Sequence, residues 1–231
     1  IITNIDREHM DFYSSMDDLK KYFIQFVQKV PSFGKSFICT DDKFTNNFVK
    51  NLINKNFYTY GTNSKSNFLI KNIIQEKNFT EFDLFINLPN LKKQKIKKIK
   101  IPLIGIHNVR NSVAAIAVSI TIGISIKDIK EGLLKFKGVQ RRFNKIFTYN
   151  NVSYFDDYAH HPTEIKFVLE GVSKVYKDYD KVCVFQPHRV SRLRDLRKEF
   201  SFAFKNSDIV VLCPVYTAGE KMKLGFNYLN F

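Results

Sequence analysis

The sequence predicts an α/β protein in two parts, and three observations predict it. From residue 151 onward, short apolar runs alternate with helical stretches in the order strand, helix, strand, helix, strand. Each of those strands gives way to a dense polar cluster. Upstream, helices and strands alternate less regularly, as far as the junction Gly138-Val139-Gln140-Arg141-Arg142-Phe143, with glycine at one side and two arginines at the other. A βαβαβ order calls for parallel strands joined by right-handed crossovers.

The 231 residues suffice for one large or two modest domains. No apolar run reaches the roughly 18–20 residues of a membrane span, and no signal peptide opens the chain. Cys39, Cys183 and Cys213 lie far apart among apolar residues, which fits buried thiols in a reducing compartment rather than a disulfide framework or a metal site. A cytoplasmic location is expected. The net charge of +15 accompanies abundant Lys, Asn, Ile and Phe together, so it reads as compositional drift; nucleic acid, an anionic membrane and a polyanionic small ligand all remain compatible with it. The chain has no initiator Met and stops at Phe231 without a natural ending, so a fragment is expected.

In chain order, residues 1–5 read as a short strand and 6–11 as a turn carrying His9, a metal ligand or a satisfied turn histidine. Asp17 or Asp18 can cap a helix with Leu19, Tyr22, Phe23, Phe26, Val27 and Val30 on one face, ended by Pro31. Gly34-Lys35-Ser36 is not a phosphate loop, because Lys29 stands where that loop needs its first glycine. Strands are expected over 37–40, 57–61, 68–74 and 82–88, and a helix over 44–53. The lysine run 92–100, interrupted by Ile96 and Ile99, fits a solvated edge strand or hairpin. A helix follows Gly105-Ile106-His107-Asn108-Val109-Arg110-Asn111, with Val109, Val113, Ile116 and Ile120 inward and Gly123 as its stop. Ser125 can cap the next helix, with Ile126, Ile129 and Leu133 inward. Beyond the junction come strand 152–155, helix 163–176, strand 181–185, helix 191–205 and strand 208–213.

The three clusters after these strands are Asp156-Asp157-Tyr158-Ala159-His160-His161-Pro162, Gln186-Pro187-His188-Arg189-Val190-Ser191-Arg192 and Val215-Tyr216-Thr217-Ala218-Gly219-Glu220. Parallel strands would put all three at the carboxyl edge of one sheet, where open α/β sheets bind ligands. So many titratable groups in one place exceed what a capping turn needs. Arg189 and Arg192 are three apart at a helix start and can share a face, where their planar forks suit a carboxylate or phosphate. Arg194 and Arg197 read as surface residues. His107, Asn108 and Asn111 lie at a helix start, where capping competes with recognition of a purine edge.

Taken together and in this order, the segments 3–11, 105–111, 138–143, 156–164, 185–192 and 215–220 closely resemble the Mur ligase family, specifically its branch that joins L-alanine to UDP-N-acetylmuramate in peptidoglycan synthesis. The resemblance runs over essentially the whole chain. It implies the C-terminal part of a central ATPase domain over 1–143 and the first part of a Rossmann-like C-terminal domain over 144–231. It also implies an ATP-dependent amide ligase, with Mg²⁺ offsetting phosphate charge, that activates the lactyl carboxylate as an acyl phosphate for attack by L-alanine. By similarity His9 would bind the metal, His107, Asn108 and Asn111 would meet the adenine, Arg142 would reach an ATP phosphate and Asp157 the ribose. Tyr158, His160, Arg189, Arg192 and Tyr216 would bind substrate, and His161, Arg189 and Arg192 would serve catalysis.

The family also carries a UDP-sugar domain, a Gly-rich phosphate loop and an acidic metal ligand that have no counterpart within 1–231, so the chain by itself is expected to be inactive. Thr217 stands where the family usually has Ala, and Val190 where an aromatic is common. A related ligase attaching a recycled tripeptide to the same UDP-sugar is the competing enzyme; the Met10-Asp11 and His188-Arg189…Arg192 features disfavour it. A basic nucleic-acid-binding module would interleave aromatics with the lysine run, and residues 92–100 contain none. Neither nucleic acid nor membrane is expected as a partner.

Overall fold

A computed structural model describes residues 1–53, 56–89 and 91–221. The chain divides into two compact units. The first comprises Ile1–Ile74, Phe79–Pro102 and His107–Phe136; the second comprises Gln75–Asn78, Leu103–Ile106 and Lys137–Phe231.

The first unit is built on a five-stranded sheet, β1 (Ser36–Cys39), β2 (Phe57–Gly61), β3 (Phe68–Gln75), β4 (Thr80–Ile86) and β5 (Gln94–Ile101), in that spatial order. β1, β2 and β3 run parallel, and β4 pairs antiparallel with β5. The expected strand at residues 1–5 shrinks to one parallel bridge, Ile2 to Ile38, held by Ile2 N–H on Phe37 O (2.8 Å) and Cys39 N–H on Ile2 O (2.9 Å).

The lysine-rich segment is the edge strand the sequence predicts. Its buried isoleucines, Ile96, Ile99 and Ile101, break strict alternation. A β-bulge explains the spacing. Phe82 faces Ile99 while Leu84 faces Ile96, so β5 holds one extra residue, and Lys98 takes φ 52°. Asp83 secures it by accepting from Lys98 N–H (2.9 Å) and Asn72 Nδ2 (2.9 Å).

Helix α1 (Met16–Gln28) starts a little earlier than expected, because Ser15, not Asp17 or Asp18, accepts the Asp18 N–H as N-cap. Its buried stripe is narrower too: Leu19 and Val27 are buried, whereas Tyr22 and Phe26 are exposed. α2 (Lys43–Lys50) is capped by Asp42. Ile2, Ile5, Leu19, Val27, Ile38, Phe48 and Leu52 form one core of this unit, each fully buried large side chain contributing about 1.5–3 kcal/mol. α3 (Ile106–Thr121) ends at Gly123 with φ 88°, and α4 (Ile126–Lys135) is capped by Ser125, both as the sequence predicts.

In the second unit the predicted three-stranded parallel sheet is not what forms. A strand absent from the sequence reading, β6 (Asn144–Tyr149), makes an antiparallel hairpin with β7 (Val152–Asp156). Asn150 and Asn151 at its tip take φ 45° and 61°, the two left-handed residues that a tight hairpin turn needs. Among the described residues, parallel pairing in this unit joins only β8 (Val182–Phe185) and β9 (Ile209–Leu212), extended by a bridge from His188 to Tyr216.

α5 (Pro162–Val175) follows the first polar cluster. The single helix expected over 191–205 is broken at Leu196 (φ −118°) into α6 (Val190–Asp195) and α7 (Arg197–Ala203), which lets Leu193, Leu196 and Phe200 all face inward. These three pack with Ile165, Leu169, Phe185 and Ala203 as the core of this unit.

Candidate active site

The predicted site residues fall into two sets. His9, His107, Asn108 and Asn111 belong to the first unit; Arg142, Asp157, Tyr158, His160, His161, Arg189, Arg192 and Tyr216 belong to the second.

In the first set His107, Asn108 and Asn111 lie on the opening turns of α3, where spacings of three and four put them on one face. This end of the helix is tied down by Arg110, whose Nε donates to Asp41 Oδ2 (2.7 Å) just beyond β1. The Asp41 side chain is 4% exposed, and its other oxygen accepts from Thr62 N–H (2.7 Å) and Thr62 Oγ1 (3.0 Å) just beyond β2. Gly61 (φ 143°) lets that carboxylate in, since a Cβ there would lie 2.5 Å from Asp41 Oδ1. This buried ion pair escaped the sequence reading because its partners are distant in the chain. His9 is exposed on its turn with φ 57°. Among the described residues, no group of three or more His, Cys, Asp or Glu converges to hold a metal.

In the second set the three polar clusters do meet, although β7 does not share the sheet of β8 and β9. The Tyr158 ring lies 5.3 Å from the His160 ring, His160 lies 5.8 Å from His188, and His188 lies 5.4 Å from Tyr216. One aromatic row thus crosses all three loops. Backbone bonds lock two of them: Tyr216 N–H donates to Pro187 O (2.8 Å) and Arg189 N–H to Tyr216 O (2.9 Å).

Arg192 folds back from α6 so that Nη1 donates to His188 O (2.9 Å) and His188 Nδ1 (3.2 Å). Burial, together with the charges of Arg192, His160 and Arg189, pushes His188 below the ordinary histidine range and keeps it neutral. Arg189 occupies φ 69°, ψ 131° at the N-cap of α6, a strained place for a side chain with a Cβ. Glu220 braces the same helix start, accepting from Ser191 N–H (2.8 Å) and Ser191 Oγ (2.6 Å). Burial would raise the Glu220 carboxyl; the two Ser191 donors and the Arg189 charge outweigh it and hold it below its usual value.

The first cluster is organised by Glu164. His161 is the N-cap of α5: its Nδ1 accepts from Thr163 N–H (3.3 Å), and Glu164 Oε2 reaches back to His161 N–H (3.2 Å) and His160 N–H (3.0 Å). Glu164 Oε1 lies 3.4 Å from Arg142 Nη1. Burial would raise the Glu164 carboxyl; the two N–H donors and the charges of His160 and Arg142 prevail and lower it. Asp157 accepts from Ala159 N–H (2.7 Å) and Phe143 N–H (2.8 Å), which ties the junction to the end of β7. Its burial wins over those bonds and pushes the carboxyl up. Arg141 lies 4.5 Å from the Tyr158 ring centroid.

His188, Glu220 and Glu164 lie within the three polar segments 185–192, 215–220 and 156–164, but nothing in their spacing alone assigns them a task. The His161…Glu164 spacing was the available signal for the capping box, concealed because histidine rather than Ser or Thr holds the first place.

An α/β chain whose strand-end loops gather arginines, imidazoles and phenols offers groups that suit an anionic ligand. The family model for the Mur ligase middle domain matches residues 1–119, and that for the Mur ligase, glutamate ligase domain, matches residues 141–225. The chain belongs to the Mur ligase family. It is 65% identical over 231 residues to the UDP-N-acetylmuramate--L-alanine ligase of Pelagibacter ubique (strain HTCC1062), covering 100% of this chain and 50% of that protein. It is 42% identical over 222 residues to the enzyme of the same name from Brachyspira hyodysenteriae (strain ATCC 49526 / WA1), covering 95% of this chain and 46% of that protein. Among solved structures it resembles the UDP-N-acetylmuramate-alanine ligase of Thermotoga maritima, with a TM-score of 0.70 at 26% identity, over 94% of this chain and 46% of that one. The chain spans about half the length of the curated relatives it matches.

Proposed function

We propose that the protein carrying this chain is an ATP-dependent amide ligase that joins L-alanine to UDP-N-acetylmuramate in peptidoglycan synthesis. The observation that carries the reading is the meeting of Tyr158, His160, His188, Arg192 and Tyr216 from three loops. It is supported by the names of the relatives.

Amide synthesis from a carboxylate requires the oxygen to be made a leaving group, and ATP supplies the phosphoryl group that does so. Arg189 and Arg192 present guanidinium forks to the carboxylate and to the negative charge that builds on the tetrahedral carbon. Tyr158 and Tyr216 wall the pocket for the lactyl group, and His160 borders the place of the incoming L-alanine. Arg142, on the junction, reaches an ATP phosphate and Asp157 the ribose. His107, Asn108 and Asn111 receive the adenine. His161, expected among the catalytic groups, we place with the positioning groups, because it is buried and its Nδ1 is engaged in capping. Catalysis is then chiefly placement and charge stabilisation.

Mg²⁺ would enter with the nucleotide phosphates, with His9 as one ligand. Among the described residues no three or more His, Cys, Asp or Glu side chains gather to hold the ion by themselves. We assign 1–143 to nucleotide handling and 144–231 to the reacting groups. The reaction is placed in the cytoplasm, where ATP and UDP-sugars are found; no helix among the described residues is long and apolar enough to cross a membrane.

The test is product analysis on the protein at the full length of its relatives, given ATP, UDP-N-acetylmuramate and either L-alanine or the L-alanyl tripeptide. ATP-dependent UDP-N-acetylmuramoyl-L-alanine is the expected product. A preference for the tripeptide, or no ligation, would overturn the assignment.

A further inference from the structure

Two imidazoles sit side by side in this site, and their partners give them opposite tautomers. His160 Nδ1 lies 3.0 Å from the carbonyl oxygen of Tyr158, which can only accept, so Nδ1 carries the proton and the lone pair of the neutral ring is on Nε2. His188 Nδ1 lies 3.2 Å from Arg192 Nη1, which can only donate, so there Nδ1 holds the lone pair and Nε2 the proton. The rings are 5.8 Å apart. Behind His160, on its protonated side, Glu164 Oε2 stands 3.6 Å from Nδ1, pinned by the two backbone N–H bonds from His160 and His161. A base whose far nitrogen faces a fixed carboxylate is the arrangement that steadies an imidazolium once it forms. The His160 side chain is 30% exposed, open enough to meet a substrate. The neighbouring His161 cannot do the same work, because it is 6% exposed and capped by Thr163 N–H.

We propose that Nε2 of His160 is the general base that takes the proton from the ammonium of the incoming L-alanine, with Glu164 as its positioning carboxylate. This rests on the ligase reading above. An ammonium has no lone pair, so the amine must shed one proton before it can attack. That proton goes to His160 Nε2, giving the imidazolium. The freed nitrogen attacks the acyl phosphate carbonyl; the C–N bond forms, the C–O bond to phosphate breaks, and phosphate departs with that electron pair. The second N–H proton leaves with it as hydrogen phosphate, and the imidazolium returns its proton to water. The groups facing His160 are Glu164, with Arg142 beyond it, the neutral His188, with Arg192 beyond it, and Tyr158.

The experiment replaces the nucleophile. Hydroxylamine is a free base at pH 8 and needs no proton removed, so it traps the acyl phosphate as a hydroxamate without help. In the full-length protein, His160→Asn keeps an N–H that can reach Tyr158 O but has no Nε2. It is expected to lose about 10²–10⁴-fold in L-alanine ligation while forming hydroxamate within about threefold of wild type. If both reactions fall together, or if L-alanine ligation falls less than about tenfold, the proposal is wrong. Glu164→Gln is the second variant. Without the carboxylate that steadies the imidazolium, kcat with L-alanine should fall at least about tenfold while the KM for L-alanine and hydroxamate formation stay within about threefold of wild type; a fall in both reactions together would mean a purely structural role. If the wild-type protein forms no hydroxamate that depends on ATP and UDP-N-acetylmuramate, the ligase reading itself fails, and this inference with it.

Discussion

Arg189 shows how strain and function can be separated at one residue. Its φ of 69° is held by its own N–H on Tyr216 O and by the Glu220 clasp on Ser191 next door, rather than by any preference of arginine. Glycine accepts that conformation freely, so Arg189→Gly should leave stability unchanged or raise it by up to about 1 kcal/mol. On the role proposed for Arg189, a charged contact to the reacting carboxylate, it should nonetheless lower ligation by about 2–4 kcal/mol of transition-state stabilisation. Arg194→Ala is the control: Arg194 is exposed and pairs with its neighbour Asp195, and its loss should change kcat/KM by less than twofold. Urea melts and steady-state kinetics on the three proteins decide it; equal kinetics for the two variants would reject the role of Arg189. The polar residues of this site were legible because titratable groups crowd into three short segments. Their partnerships were not. Ser191 and Glu220 lie 29 apart in sequence, and Asp41 and Arg110 lie 69 apart, so no local pattern links them.

At the scale of elements, most helices and strands were readable from spacing and caps, and the misses have local causes. β6 carries few buried side chains, so it lacks the apolar alternation that marks a strand; the Asn150-Asn151 pair was its available signal. The periodicity over 191–205 is continuous, and nothing in it announces the break at Leu196. α5 makes two predictions. Its Gly171 faces Gly105, and a Cβ there would lie 3.1 Å from the Gly105 Cα. Alanine is the better helix former by about 1 kcal/mol, but backbone cannot yield as a side chain can, so Gly171→Ala should destabilise the protein by about 1–3 kcal/mol in chemical denaturation. A gain in stability would show that the two segments can separate without loss. At the other end, Glu164→Ala removes the cap on His160 and His161 and should lower stability by about 1–2 kcal/mol at neutral pH, with little from the half-exposed Arg142 pair. The folded carboxyl is held below its ordinary 4.5. Its stabilisation is therefore fully present above that value and lost as pH falls through the lowered one. The gap between wild type and variant should close on acidification; a gap that widens would reverse the assignment.

At the scale of the whole molecule, the presence of two units was legible from the glycine-to-arginine junction, while the sheet of the second unit was not. Strand order in the sequence cannot tell a βαβ crossover from a hairpin followed by one, since both place an apolar run before a helix. What survives this error is the convergence of the loops, because the aromatic row through His160 and His188 does not require β7 to join β8. The division of labour leads to the last prediction, that residues 1–231 expressed by themselves do not ligate. Holding the β- and γ-phosphates requires backbone N–H groups and a lysine from a glycine-rich loop. Within 1–231, Gly34-Lys35-Ser36 is the nearest approach to one, and it lacks the first glycine. In the structure Gly34 ends a turn after Pro31, with its N–H on Pro31 O (2.9 Å), rather than linking a strand to a helix. The same piece leaves Val182, Val184, Ile209 and Val211 of β8 and β9 exposed by 57, 66, 54 and 45%, an apolar sheet surface that invites association. The expected result is a polypeptide that self-associates in sedimentation and forms UDP-N-acetylmuramoyl-L-alanine at under about one-thousandth of the rate of the full-length protein, a deficit of roughly 4 kcal/mol or more. Ligation within tenfold of the full-length rate would mean that the phosphates are held by residues within 1–231, and the roles given to Arg142 and to the first unit would have to be redrawn.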